Sequence, residues 1–289
     1  MTAPCSSLPL YLGLPMWANQ DWQGGLYPRQ AKTDLLSDYA AVFSSVEGNT
    51  TFYSGAPKSD TIAAWARQAP AHFRFCFKLP ASVTHDQRLG SLTAAWEFIT
   101  ALTPIHDRLG PIMVQLPRDF GPSELPKLEA LLAHWPAHLP CAVEVRHPVF
   151  FHKGEAETAL NRLLITHGAN RVMLDVRPVF STPANGHAGL AHAQQEKPKL
   201  PLHVLSTADR PIIRFIGHID KAINTRYFEP WIDRLSLWIN QGKTPFLFVH
   251  TADNRASPEM ARHLYHTLQR RISLPPLALF ADEKQSQLF

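Results

Sequence analysis

Polar and ionisable residues recur at one kind of place in this chain of 289 residues, directly at the ends of short apolar runs. Glu47, Asn49 and Tyr53 follow the second run, Lys78 and His85 the third, and Gln115 lies in the fourth. Glu144, Arg146 and His147 close the fifth, and Asp175 and Arg177 the sixth. Arg214 and His218 belong to the seventh, and His250, Asp253 and Asn254 to the eighth. Glu144 and Arg146 stand two apart in a strand and so share a face. On that face Arg146 can fork onto a substrate carboxylate or phosphate while Glu144 acts as a general base or orienter. The same pair also suits an ion-pair network with Arg74 or Asp175 that fills an interior. Lys78 can serve as an anion contact, as a partner for Glu47, or, if desolvation lowers its pKa, as a Schiff-base nucleophile.

His85, His147, His218 and His250, with Glu47, Glu144 and Asp175, are of the types that hold a divalent metal in barrel hydrolases and isomerases. Against this, the chain has 15 histidines, so several fall near strand ends by chance. No HxH or HExxH spacing supports the metal reading. The aromatic residues Trp17, Trp22, Tyr27, Phe52 and Tyr53 read as packing residues, or as a stacking surface if they ring a mouth. GxGxxG, GxxxxGK[ST] and GxSxG are all absent, which removes the usual signals for dinucleotides, nucleoside triphosphates and the hydrolase elbow.

The apolar runs begin near Leu10, Val42, Phe73, Ile112, Cys141, Arg171, Pro211 and Pro245, at intervals of 29 to 40 residues. That is the length of one strand and one returning helix. Eight such units predict an α/β fold, a single (β/α)₈ TIM-type barrel, with reactive groups where the strands end. The length suits one domain over residues 1–289, since such barrels take about 250 residues. The predicted strands are Leu10 to Leu14, Val42 to Glu47, Phe73 to Leu79, Ile112 to Leu116, Cys141 to Val145, Arg171 to Val176, Ile212 to Gly217 and Phe246 to His250.

The third strand alternates clearly. Phe73, Phe75 and Phe77 should pack on helices, leaving Arg74, Cys76 and Lys78 to face the lumen. Helices are expected at Thr61 to Gln68 with Ser59 as N-cap, at Leu92 to Leu109, Pro126 to His134, Glu155 to Thr166, Phe228 to Gln241 and Pro258 to Arg271. The irregular stretch from Pro183 to Ala208 reads as a short helix with loose flanks, or alternatively as a lid over the mouth. The tail from Ala281 is polar and is expected to fray.

Bulk properties narrow the function. The net charge of +4 is mildly basic. No run of about five Lys/Arg residues exists, so nucleic acid is a disfavoured partner and a small anionic ligand a favoured one. Cys5, Cys76 and Cys141 form no CxxC pair and read as thiols in a reducing compartment. No positive leader and no uncharged apolar stretch of about 18 residues appears, so a cytoplasmic protein without a membrane span is expected. Nothing in the sequence speaks to oligomeric state.

Several segments jointly resemble the YecE-like family, known as domain of unknown function 72. They are Gly13 with Trp22, Gly25, Tyr27 and Pro28; Tyr39 through Tyr53 (YAAVFSSVEGNTTFY); Trp65; Pro70 through Lys78 (PAHFRFCFK); Thr84-His85; Gln115-Leu116-Pro117; Glu144-Val145-Arg146-His147; and Asp175. The resemblance implies a TIM-type barrel and no established activity. It implies a shared site of Glu47, Asn49, Tyr53, Lys78, His85, Gln115, Glu144, Arg146 and Asp175. The chain departs from the family pattern after the eighth strand. Relatives carry an Asn-Asn-His-like turn there, and this chain has His250-Thr251-Ala252-Asp253-Asn254.

The resulting expectation is an enzyme acting on a small anionic, phosphate- or sugar-bearing substrate at the C-terminal mouth. Glu47, Glu144, Asp175 or His85 would move protons. Lys78, Arg146 and Arg214 would hold the anion, with Asn49, Tyr53 and Gln115 as further substrate contacts by resemblance. A metal-dependent hydrolase or nuclease-like barrel, and a non-catalytic binding or adaptor protein, are the alternatives.

Overall fold

A computed structural model describes residues 8–29 and 34–286; Cys5 lies outside them. The described residues form eight strands: β1 (Tyr11–Leu14), β2 (Ser45–Gly48), β3 (Arg74–Phe77), β4 (Ile112–Gln115), β5 (Cys141–Glu144), β6 (Asn170–Asp175), β7 (Ile212–Gly217) and β8 (Phe246–Thr251). They pair in parallel in the order β3-β2-β1-β8-β7-β6-β5-β4. The two ends of that order meet. Gly110 N donates to Phe75 O and Leu79 N to Met113 O, each at 2.9 Å. The sheet is therefore a nearly closed (β/α)₈ barrel, as the spacing predicts.

Parallel neighbours need crossover connections, and helices supply them. The crossovers hold α1 (Leu35–Ala40), α2 (Thr50–Ser54), α3 (Ser59–Gln68), α4 (Thr93–Ala101), α5 (Leu125–Ala133), α6 (Glu155–Thr166), α7 (Ala188–Glu196) and α8 (Lys221–Asn240), and α9 (Ser257–Gln269) and α10 (Ala281–Ser286) follow the last strand. No described helix is long and apolar enough to cross a membrane.

Strand periodicity sorts the core into two parts. Tyr11, Cys76, Met113, Ala142, Val172, Ile212, Phe246 and Phe248 pack with one another inside the barrel. The Tyr11 and Phe246 rings stack there at 4.7 Å. Residues of the opposite parity, among them Phe75, Val114, Val143, Met173, Ile213 and Leu247, join the core between strands and helices. Phe73, Phe75 and Phe77 lie on that outer side as expected, with Trp65 of α3 stacked on Phe77 at 5.2 Å. Each such ring, fully buried, contributes about 1.5–3 kcal/mol. Inside the barrel β1 runs close to β2. A Cβ on Gly13 would fall 2.4 Å from the Ser45 carbonyl oxygen, so this place admits only glycine without backbone movement.

Some expected boundaries differ. The helix read from Leu92 to Leu109 stops at Ala101 and continues as a 3₁₀ turn, Thr103–Arg108. Pro104 cannot donate to the helical ladder and breaks it. Ser59 is the first residue of α3, and its N-cap is Lys58, without a side-chain cap. α8 begins at Lys221, well before the expected Phe228, because Asp220 caps it by accepting from Ala222 N at 2.7 Å. The polar tail forms α10, anchored where Phe280 is buried and its N–H donates to Glu283 Oε2 at 2.9 Å. The segment after β6 holds α7 between irregular flanks, as the short-helix reading expects. Leu190 and Ala193 of α7 pack on Val176, Val179 and Ile216 beyond β6 and in β7.

Candidate functional site

The lumen-facing parity places several charged residues above the apolar interior. Arg214, in the middle of β7, reaches both Glu47 at the end of β2 and Glu144 at the end of β5. Its Nε donates to Glu47 Oε2 at 2.7 Å, its Nη2 to Glu47 Oε1 at 2.7 Å, and its Nη1 to Glu144 Oε2 at 2.6 Å. All three side chains are buried. The rigid guanidinium fork matches a carboxylate in a way a lysine could not. Burial opposes ionisation of Glu47, but Arg214, Lys78 and His250 overcome it and hold the carboxyl well below its ordinary range. Glu144 likewise falls to about 2, against its own burial, through Arg214, Arg146 and Lys78.

Three further groups surround this bridge. Lys78 Nζ donates to Gln115 Oε1 at 3.0 Å and lies 3.3 Å from Glu47 Oε1. Burial and the positive charge of Arg214 pull Lys78 down to about 8. His250 Nε2 is 3.2 Å from Glu47 Oε2. Burial lowers His250 to about 4, so it is neutral at physiological pH. An ionised carboxylate only accepts, so Nε2 carries the hydrogen. Arg146 places Nε and Nη2 at 2.8 Å from Glu144 Oε1, and its side chain remains 20% exposed. It is thus the outermost member of the cluster.

The rim above Lys78 is aromatic. The Phe52 ring centroid lies 6.0 Å from Lys78 Nζ and meets the His85 ring edge-on at 5.1 Å. His85 Nδ1 pairs with Thr84 Oγ1 at 2.9 Å. Burial and the charge of Arg146 lower the His85 pKa.

Glu47, Lys78, Gln115, Glu144, Arg146 and Arg214 are therefore brought together as the sequence suggests. Other expected members are not. Asp175 is buried on the outer side of β6, where it accepts from Trp231 Nε1 of α8 at 2.8 Å and from Arg177 Nε and Nη2 at 2.9 and 2.7 Å. Val172 takes the lumen parity of that strand, so Met173 and Asp175 turn toward the helices. Tyr53 is 84% exposed, with its ring edge-on to Phe52. Asn49 uses its Nδ2 to hold the loop after β1 through Pro15 O at 2.9 Å.

The metal alternative also meets a different arrangement. His147 and His218 serve local turns, accepting from Val149 N and Asp220 N at 3.2 and 2.9 Å. Among the described residues no three His, Cys, Asp or Glu side chains gather so as to hold an ion.

One contributor escaped the sequence reading. Lys197, just past α7, is half-buried, and its pKa is lowered by burial and then by the charge of Arg214. It belongs to the irregular segment, where no strand spacing marks it.

Fold and cluster together define the class: a (β/α)₈ barrel with a buried, ionised cluster at the C-terminal ends of its strands. Residues 11–283 match the family described as Protein of unknown function DUF72, and the chain belongs to that family. It is 42% identical over 282 residues to the UPF0759 protein YecE of Escherichia coli strain K12, an alignment covering 97% of this chain and 100% of that one. The YecE protein of Escherichia coli O157:H7 matches with the same identity and coverage. A crystal structure of a DUF72 family protein from Enterococcus faecalis V583 aligns with a TM-score of 0.67 at 19% identity, covering 93% of this chain and 99% of the other. A second, from Thermotoga maritima MSB8, gives 0.62 at 22% identity, covering 90% and 99%. These structural likenesses speak to the fold.

Proposed function

We propose that this chain is an enzyme that takes a small anionic substrate, such as a sugar phosphate, at the C-terminal mouth of the barrel. One observation carries the reading. Two buried carboxylates, Glu47 and Glu144, face three cations, Lys78, Arg146 and Arg214. The excess charge is positive, and an anion at the mouth would balance it. Arg214 is occupied by both carboxylates and acts as a positioning residue. Arg146, partly exposed, would meet the anion first, with Lys78 behind it.

The same geometry revises the expected proton carriers. A general acid must hold its proton near neutral pH. Glu47 and Glu144 are ionised there, so they orient cations instead. Lys78 is the member of the cluster whose proton exchanges near the working range.

Calorimetric titration with inorganic phosphate and glucose phosphate tests the reading. Wild-type protein is expected to bind. Arg146→Ala and Lys78→Ala, checked for folding by circular dichroism, are each expected to lose at least about tenfold in affinity, which is about 1.4 kcal/mol. Unchanged affinity in both folded variants overturns the proposal.

A further inference from the structure

We infer that the substrate is a nucleoside monophosphate whose base lies in a cavity beside Tyr53 while its phosphate reaches the cation cluster. The inference rests on the anion reading above and names the group that the anion carries.

A cavity of about 330 Å³ lies at the C-terminal ends of β1 and β2. Pro15, Met16, Trp17 and Ala18 of the loop after β1 line one side, and Asn49 and Tyr53, at the start and in the last turn of α2, line the other. Ligand cavities run from about 300 to 1,000 Å³, so this one suits a single ring system and not a whole ligand. Both walls are held in place. Asn49 Nδ2 donates to Pro15 O at 2.9 Å and ties the two sides together. The Tyr27 hydroxyl donates to the Trp17 carbonyl, and the Trp17 ring is edge-on to Trp65 at 5.5 Å. Thr51 Oγ1 donates to Lys78 O at 2.9 Å, which fixes α2 against the end of β3.

The lining selects the occupant. Among the described residues Tyr53 is the only Phe, Trp or Tyr side chain left exposed. A flat base stacks on such a ring whatever its sequence identity. Met16 adds a thioether, which makes favourable contacts with aromatic rings. Among the described residues nothing engages Asn49 Oδ1 or the Tyr53 hydroxyl. An amide acceptor and a phenol therefore stand available to the polar edge of a base. A bare sugar would bring several hydroxyls to a lining with few partners for them.

Charge then fixes what the ring is attached to. The Phe52 ring meets Tyr53 at 5.1 Å and lies 6.0 Å from Lys78 Nζ, so one ring separates the cavity wall from the cluster. Lys78, Arg146 and Arg214 outnumber Glu47 and Glu144 there. A purely apolar occupant would leave that excess charge unanswered. A nucleoside monophosphate carries a flat ring and an anion at opposite ends of a ribose, and complements both regions.

Calorimetry on the intact chain compares inorganic phosphate, ribose 5-phosphate, adenosine monophosphate and cytidine monophosphate. At least one nucleotide is expected to bind at least about fivefold tighter than ribose 5-phosphate, the low end of what stacking of a base supplies. Tyr53→Ala, folded by circular dichroism, is expected to bring the nucleotide down to the affinity of ribose 5-phosphate and to leave that of inorganic phosphate unchanged. Tyr53→Phe keeps the ring and is expected to keep the gain. Equal affinity of both nucleotides and ribose 5-phosphate for the wild type, or a gain that survives Tyr53→Ala, overturns the base subsite and leaves the anion site standing. Absence of binding by all four ligands sinks the anion reading, and this inference with it.

Discussion

Arg214 is bound to Glu47 through two parallel hydrogen bonds of 2.7 Å, although 167 residues of chain separate them. With the third bond, to Glu144 at 2.6 Å, one guanidinium ties β2, β5 and β7 across the lumen. Taking each ion from water costs several kcal/mol, and the fork geometry offsets that cost. The bridge therefore contributes little net stability, yet breaking it leaves charges buried without their partner.

Arg214→Met is accordingly expected to destabilise the fold by about 3–5 kcal/mol. Urea denaturation measures it. Adding Glu47→Gln and Glu144→Gln should not recover the loss, because Lys78 and Arg146 then lose the carboxylates they pair with. A loss below about 1 kcal/mol in the single variant would mean that the bridge forms only weakly.

Acidification should destabilise the protein in two successive windows. His250 falls from an ordinary 6.5 to about 4 in the folded chain. Between those values the unfolded chain takes up a proton that the folded chain refuses, so stability declines as pH falls through them. Glu144 falls from 4.5 to about 2, so its stabilising contribution is present above 4.5 and disappears on the way down to about 2. Thermal melts against pH should show both slopes. His250→Gln should reduce the upper slope, to which the lowered His85, His218 and His263 also contribute.

Lys78 gives a slope on the alkaline side. Its proton is held to 10.5 in a free lysine and to about 8 in the fold, so the unfolded chain is the more protonated state between them. Its contribution therefore makes stability rise with pH across that window. Arg214, Glu47, Glu144 and Arg146 are the charged groups that act on it from the surrounding strands. Lys78→Met should remove the alkaline rise in pH-dependent melts, and persistence of the rise would assign it elsewhere.

Asp175 is expected to matter for stability and not for ligand binding. Trp231→Phe and Asp175→Asn each weaken the charge-assisted bond of 2.8 Å between β6 and α8. Each should cost about 1.5–3 kcal/mol in denaturant unfolding. Their phosphate affinity, measured on folded protein, should equal that of the wild type. A fall in affinity without a fall in stability would return Asp175 to the site.

Gly13→Ala should be poorly tolerated, since its new methyl group meets the Ser45 carbonyl at 2.4 Å and backbone atoms cannot rotate away. Overpacking of this kind costs about 1–3 kcal/mol. A melting temperature equal to the wild type would show that β1 and β2 can separate.

The amino-acid pattern alone determined the barrel, the eight strand positions and the core of the site. Strand-plus-helix spacing repeats through the chain, and the alternation around Phe75 and Phe77 places Lys78 inside. Parity within a strand is a local property, but which parity faces the lumen depends on how neighbouring strands register and on how the sheet curls shut. That choice turned Asp175 outward to Trp231 and Arg214 inward to two carboxylates. Tyr53 lies in α2 and Lys197 just past α7, so strand parity places neither of them. Periodic side-chain chemistry can be read along one strand, whereas convergence across a barrel exists only once the ring has closed.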